Sequence, residues 1–207
     1  MDVEITTMFK PQYLFVFLLF LSCSQTEIHS KNNAETIASN GTVEALIEIP
    51  AGTNDKWELN KETGELEWEQ KDGKPRVVNY LGYPGNYGMI PNTLLPEELG
   101  GDGDPLDVLV LGPSEERGSK IPCKIIGVLL LEDHGEQDDK LIAVSKNSPM
   151  FHINDIDELE EEYNGITTIV ETWFTNYKGP GKLVSKGFGD KDKAQAILDQ
   201  AITASNN

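Results

Sequence analysis

The sequence predicts a mainly β, α+β domain in which strands come first and helices occupy the C-terminal third. Two observations carry this. From Glu44 to Val144, short apolar runs alternate with turn-forming clusters at the spacing of a barrel or a sandwich. From Asp155 onward the apolar period lengthens to about 3.6 residues, with capping residues ahead of the run.

Ala45-Leu46-Ile47-Glu48-Ile49 is the first expected strand, stopped by Pro50, which cannot donate to a ladder. Trp57-Glu58-Leu59 and Leu66-Glu67-Trp68-Glu69 flank Asn60-Lys61-Glu62-Thr63-Gly64, a hairpin signal with glycine near its end. Asp72-Gly73 marks the next turn and leads into a strand-like run, Arg76-Val77-Val78-Asn79-Tyr80. Tyr83-Pro84-Gly85-Asn86-Tyr87-Gly88 is rich in backbone breakers and phenols and reads as a loop, either ligand-contacting or packed on the core. Leu106 to Leu111, Lys124 to Leu131 and Leu141 to Val144 are further strands, the first two too apolar to be exposed on both faces.

In the first helix Ile156, Leu159 and Tyr163 share a face behind a capping Asn154 or Asp155, and Glu160-Glu161-Glu162 form its solvated side. Ile166, Ile169, Val170, Trp173, Phe174 and Tyr177 make the stripe of a second, ended by Gly179-Pro180. Lys193 to Ala204 repeats the pattern with Ala194, Ile197, Leu198, Ala201 and Ile202.

Residues 1–22 read as an export signal. Tyr13 to Leu21 is uninterruptedly apolar, follows Lys10, and falls short of the ~20 residues that span a bilayer. Met8 is an alternative start to Met1. Phe20-Leu21-Ser22-Cys23 resembles a bacterial lipoprotein box, making Cys23 the candidate lipidated residue, with a plain cleaved signal as the alternative. The expected location is therefore exported, periplasmic or membrane-anchored in a bacterium. Residues 23–43 read as a flexible tether and 44–207 as the folded domain. With Cys23 lipidated no intramolecular disulfide can form, and Cys123, inside the apolar run from Ile121 to Val128, reads as a small core residue.

The 207 residues hold 17 Lys+Arg against 35 Asp+Glu, a net of −18. Losing residues 1–22 removes two acids and one base and leaves −17. Such a surface repels nucleic acid and anionic membrane, so no nucleic-acid partner is expected, and membrane contact only through the N-terminus. The chain has no internal repeat, zinc-type Cys/His spacing, Walker loop or Gly-x-Ser-x-Gly elbow.

The chemistry concentrates in Asp102-Gly103-Asp104-Pro105-Leu106-Asp107, three carboxylates in a tight turn just ahead of an apolar strand. Two unit charges about 4 Å apart repel by about 4 kcal/mol at an effective dielectric of about 20. Such carboxylates take up protons, spread into water or hold cations; hard oxygen donors suit Mg²⁺, Mn²⁺ or Ca²⁺. Asp133-His134-Gly135-Glu136-Gln137-Asp138-Asp139-Lys140 is a second acidic loop between apolar strands, able to converge with the first on two or more cations. Lys56, Arg76, Lys140 and Tyr177-Lys178 are candidate anion binders, each of which also reads as a surface cation when taken alone.

In combination these segments resemble the family I inorganic pyrophosphatases from about Glu44 to Ile202. The first acidic turn and Val108 fit that family's signature, Asp-x-Asp-Pro-x-Asp followed by an apolar residue. Ile47-Glu48-Ile49-Pro50, Lys56-Trp57-Glu58, Asn86-Tyr87-Gly88, Asp133 through Lys140, and Tyr177-Lys178 add further ordered matches.

The resemblance implies a small closed five-stranded OB-like barrel with flanking helices, hydrolysing pyrophosphate to two phosphates by direct attack of a metal-activated water. It implies several Mg²⁺ ions per site, with Mn²⁺ as a substitute, held by Asp102, Asp107, Asp133 and Asp138. Asp104 would take the proton of the attacking water, and Glu48 and Glu58 would support at the rim. Lys56, Arg76, Tyr87, Lys140, Tyr177 and Lys178 would grip the phosphates. A homo-oligomer is also implied. Two rival readings stand beside this one: a non-enzymatic Ca²⁺-binding surface module, and a carboxylate-pair glycoside hydrolase.

Overall fold

Along the chain the elements are β1 (Val43–Ile49), β2 (Trp57–Leu59), β3 (Leu66–Trp68), β4 (Gln70–Lys71), β5 (Lys74–Pro75), β6 (Asn86–Met89), β7 (Asp107–Leu111), β8 (Lys120–Asp133), β9 (Glu136–Gln137), β10 (Lys140–Ser145), α1 (Ile156–Glu162), α2 (Ile166–Asn176), β11 (Leu183–Gly189) and α3 (Lys191–Ser205). The computed structural model describes residues 41–95 and 103–206. The expected signal segment, Cys23, most of the expected tether and Asp102 lie outside the described residues.

Five strands close on themselves in the order β1-β6-β7-β10-β8, with β8 returning to β1. β7 and β10 run parallel; every other neighbouring pair in the ring is antiparallel. This is the expected OB-like arrangement. The 14-residue β8 does the most joining, pairing β1 at its start, β10 along its middle, and β11 and β9 at its end.

Alternate residues of the ring strands enter two different cores, as the period of a strand requires. Val108, Val110, Leu141 and Ala143 pack with Ala194, Leu198, Ala201 and Ile202 of α3. Leu109, Leu111, Ile142 and Val144 pack with Ile156 and Leu159 of α1 and Val170, Trp173 and Phe174 of α2. Both faces of β7 and β10 are thus covered, which is why their sequences run apolar without alternation. Cys123 is fully buried in the first core, and burial pushes its thiol up to about 12.

Asp155 caps α1 by accepting the Glu158 N–H at 2.8 Å, and Asp190 caps α3 through the Lys193 N–H at 2.8 Å. α2 begins at Gly165, which has no side chain to cap with; Glu160 of α1 accepts the Gly165 N–H at 3.2 Å instead. One member of the expected solvated acidic run therefore braces the next helix.

Local expectations change in several places, among them β11, a strand within the third expected to be helical. β1 starts at Val43, already 3% exposed and paired with Cys123, one residue inside the expected tether. Arg76 to Tyr80 forms no strand beyond a single bridge from Asp55 to Val77, because the Asn54 amide takes the carbonyls of Val78 and Tyr80 at 2.9 and 2.8 Å. Asn86 to Met89, expected as loop, is a fully buried strand. There Asn86 acts as a staple: its Oδ1 accepts from Ala51 N and Glu115 N, and its Nδ2 donates to Pro113 O.

Gly88 permits this strand to lie close against β1, since a Cβ there would stand 1.9 Å from Leu46 O. Gly88→Ala forces the two strands apart and should lower stability by about 2–3 kcal/mol, the usual penalty of overpacking. Urea unfolding monitored by tryptophan fluorescence checks this, and an unchanged midpoint would show that the pairing is not so tight.

Candidate active site

Parallel pairing delivers the first contact. Val108 of β7 lies opposite Leu141 of β10, so Asp107 and Lys140, each one residue earlier, stand side by side. Lys140 Nζ donates to Asp107 Oδ2 and to Asp138 Oδ1, both at 2.5 Å. The lysine side chain is 3% exposed, the two carboxylates 32% and 22%. Burial works against the ammonium, but Asp107 and Asp138 outweigh it and hold Lys140 above its ordinary value.

Asp104 sits in the turn ahead of β7, where Gly103 takes a φ of 75°, a conformation open to glycine. The turn is tied to Leu95 by backbone bonds of 3.0 and 3.1 Å, and Asp104 is ion-paired with Lys61 from the β2–β3 loop. Asp104, Asp107, Asp138, Asp139 and Lys140 line one small open cleft.

Asp133, at the end of β8, accepts from Lys178 Nζ at 2.6 Å and meets His134 Nδ1 at 2.7 Å. Burial opposes its charge, yet Lys178 and His134 hold its carboxyl below the usual range. Lys178 also feels Asp138, as does Tyr177, which joins this corner to the cleft.

On the other side, burial and then the neighbouring Asp107 charge push the Tyr87 phenol well above its ordinary value. Lys56 Nζ lies 5.8 Å from the Tyr87 ring centre and 3.6 Å from Glu58 Oε2. Arg76 Nη1 reaches both Glu69 oxygens at 2.7 Å, and its backbone carbonyl accepts the Lys56 N–H at 3.0 Å.

Glu48 falls where the β1–β6 register shifts between Ile47 and Ile49, a bulge of the kind that re-aims side chains. It is 6% exposed and accepts the Leu59 N–H at 2.8 Å, tying β2 to β1. Burial pushes its carboxyl from 4.5 up to about 7, against the pull of Leu59 N–H and Lys56.

Of the expected site residues, Asp104, Asp107, Asp138 and Lys140 line the cleft, and pairwise contacts link Lys178 with Asp133 and Lys56 with Glu58 and Tyr87; Asp102 and Cys23 lie outside the described residues. Among the described residues, no three His, Cys, Asp or Glu side chains meet closely enough to grip one ion. Lys140 stands between Asp107 and Asp138, and lysines likewise face Asp104 and Asp133. The donor set nevertheless fits a hard divalent cation: among the described residues the cleft wall carries four carboxylates against the Lys140 ammonium, with no sulfur or imidazole.

Sequence reasoning passed over several contributors. Asp139 braces its loop, accepting from Leu131 N at 2.9 Å and Gln137 Nε2 at 2.6 Å. Tyr83 is 3% exposed and packs 4.3 Å from Trp173 and 5.1 Å from Tyr87, ring centre to ring centre. Glu69, which orients Arg76, has no local signature; Lys61 was visible only as a turn residue.

Comparison with known proteins meets this geometry. The family model described as inorganic pyrophosphatase matches residues 45–206. An inorganic pyrophosphatase of Campylobacter jejuni is 35% identical over 164 residues, covering 77% of this chain and 90% of that one. The solved inorganic pyrophosphatase of Helicobacter pylori superposes with a TM-score of 0.70 at 34% identity, covering 84% and 98% of the two chains. A truncated vacuolar soluble pyrophosphatase of Trypanosoma cruzi, in complex with PPi, gives a TM-score of 0.77 at 25% identity and covers 81% of this chain and 70% of that one.

The raised Glu48 carboxyl has a consequence for metal-free protein. Between pH 4.5 and 7 the folded chain keeps a proton that the unfolded chain releases. The stabilisation is complete below the lower value and is lost as pH rises through the upper one, by up to about 3 kcal/mol. Glu48→Gln should remove that part of the slope, read as the difference between the two proteins' unfolding free energies across the window. Parallel curves would deny Glu48 its raised value.

Proposed function

The chain belongs to the inorganic pyrophosphatase family, and we propose how its own residues divide the work. It is an enzyme, a hydrolase that cleaves inorganic pyrophosphate into two phosphates, and its family is metal-dependent. The observation that carries the site assignment is the single cleft holding Asp104, Asp107, Asp138 and Lys140, three carboxylates and an ammonium from two distant segments.

The ion is Mg²⁺, several per site, with Mn²⁺ as a substitute, and Asp102, Asp107, Asp133 and Asp138 are the residues that would hold it. Bound there, such ions neutralise crowded carboxylates and substrate charge and acidify water for attack on phosphorus. Asp104 Oδ1 or Oδ2 takes the proton of the attacking water. Lys56, Arg76, Tyr87, Lys140, Tyr177 and Lys178 bind and orient the two phosphates, donating to oxygens where charge develops. Glu48 and Glu58 support them, Glu48 by fixing the root of the β2–β3 hairpin and Glu58 by facing Lys56. Phosphoryl transfer needs positioning and charge stabilisation more than a covalent nucleophile, and the buried, inert Cys123 supplies none.

Residues 1–22 act as an export signal, Cys23 carries lipid and 23–42 tether the enzyme, so that it works outside the cytoplasm of a bacterium as a homo-oligomer. The apolar run from Tyr13 to Leu21 ending in Ser22-Cys23 supports export. Cys23→Ser should move the protein from the membrane fraction to the soluble one, and light scattering on the released form reads its oligomeric mass. Equal partition of the two proteins would refute the anchor.

For the chemistry, Asp104→Asn should lower the rate of phosphate release from pyrophosphate by about 10²–10⁴-fold, the range of a general base. Calorimetric Mg²⁺ affinity should stay within a few-fold of the parent. Undiminished turnover would take the proton-accepting role away from Asp104.

A further inference from the structure

Lys61 lies at the tip of the β2–β3 hairpin, outside every set of residues considered so far for phosphate binding. Its position is built rather than incidental. At the root, buried Glu48 accepts the Leu59 N–H at 2.8 Å. At the tip, Asn60 Oδ1 accepts the N–H groups of Glu62 and Thr63 at 2.8 and 3.2 Å, and Gly64 N donates to Asn60 O at 2.8 Å. An asparagine that folds its own turn in this way fixes the backbone from which the next residue extends.

That residue points across the cleft mouth. Lys61 is ion-paired with Asp104 on the opposite wall, both side chains partly open to solvent at 59% and 46%. β2 thus carries a cation at each end: Lys56 ahead of it, near Tyr87, and Lys61 behind it, against Asp104. An ammonium has three N–H donors, so a lysine resting one on Asp104 can offer others to an oxygen entering the same mouth. In a chain of net charge −18 a polyanion is held only where cations stand locally.

We propose that Lys61 is a substrate-positioning residue, one that clasps the β2–β3 hairpin to Asp104 across the cleft and donates to a phosphate oxygen of bound diphosphate. The assignment rests on the hydrolase reading above. Lys61 works at the rim and bears on bond breaking only through its partner Asp104, so its loss weakens substrate binding more than turnover.

The test compares the parent chain with Lys61→Met and Lys61→Arg. With pyrophosphate and saturating Mg²⁺, Lys61→Met should raise KM about tenfold, the worth of one charged hydrogen bond. Its kcat should fall by less than KM rises, and any fall should come with a shift in the pH dependence of kcat, because Lys61 also faces the Asp104 carboxylate. Lys61→Arg should restore most of the KM. Calorimetry with methylenediphosphonate, which is not hydrolysed, should show the same loss and rescue in affinity. Hydrogen exchange on metal-free protein supplies a readout independent of activity: the amides of residues 59–66 should exchange faster in Lys61→Met. An unchanged KM and diphosphonate affinity, a fall in kcat alone, or unaltered exchange at the hairpin would each overturn the proposal. A parent chain that binds methylenediphosphonate but releases no phosphate would overturn the hydrolase reading, while the affinity and exchange measurements would still decide Lys61.

Discussion

The parallel pairing of β7 with β10 is the constraint on which the site rests. Because Val108 faces Leu141, the residues just before them are brought level, and a carboxylate meets an ammonium that sequence places 33 positions away. Side chains alternate along a strand, so a slip of one residue would turn Lys140 and its apolar successors to the wrong faces. Both faces of these strands are buried in separate cores, which makes such a slip prohibitive. The register is therefore held by some of the driest packing in the molecule, and the polar pair at its end inherits that precision.

Around this pair the other groups arrive by different routes. Tyr87 comes from β6, whose close approach to β1 depends on the bare backbone of Gly88. Glu48 is aimed by a bulge in β1 and from there secures the hairpin that carries Lys56 and Lys61. Tyr177 and Lys178 are delivered by the end of α2, anchored by stacked aromatics. Tyr83 packs on Trp173 at 4.3 Å and Trp173 stacks on Tyr177 at 4.6 Å, with an angle of 12° between the last two rings. Trp173 Nε1 also donates to Leu81 O at 2.9 Å, so the helix end is tied to the segment leading into β6. Aromatic packing of this kind orients polar tips without asking them to provide the binding energy of the fold.

Much of this was legible in the residues, for physical reasons that differ by element. The runs at 106–111, 124–131 and 141–144 announced themselves because strands buried on both faces need apolar residues at every position. The hairpin at 57–69 followed from turn residues, and the three helices from apolar stripes, with Asp155 as a readable cap of the first. β6 and β11 were hidden, since Asn86, Gly88, Gly187 and Gly189 weaken strand propensity while serving close contact and a register shift. Arg76 to Tyr80 deceived in the opposite sense: β-branched residues suggested a ladder, and one distant asparagine took the carbonyls. At the site the acids were readable as clusters. Their pairing with particular lysines was not, because it depends on strand register and loop reach.

The pairing resolves a tension in the composition. A chain with 35 acids and 17 bases presents a field that drives anions away. Beyond a Debye length of about 8 Å at physiological salt, however, surface charges are largely screened, while partly buried ones keep their strength. Lys140, Lys178 and Lys61 each sit against a carboxylate at or beside the cleft rather than out on the acidic surface. Each is held there by the very charge it offsets, so the cations are in place before any ligand arrives and little side-chain entropy remains to be lost on binding. The acidic surface then governs only the approach, and the hold on a polyanion is decided within a few ångströms of the pairs.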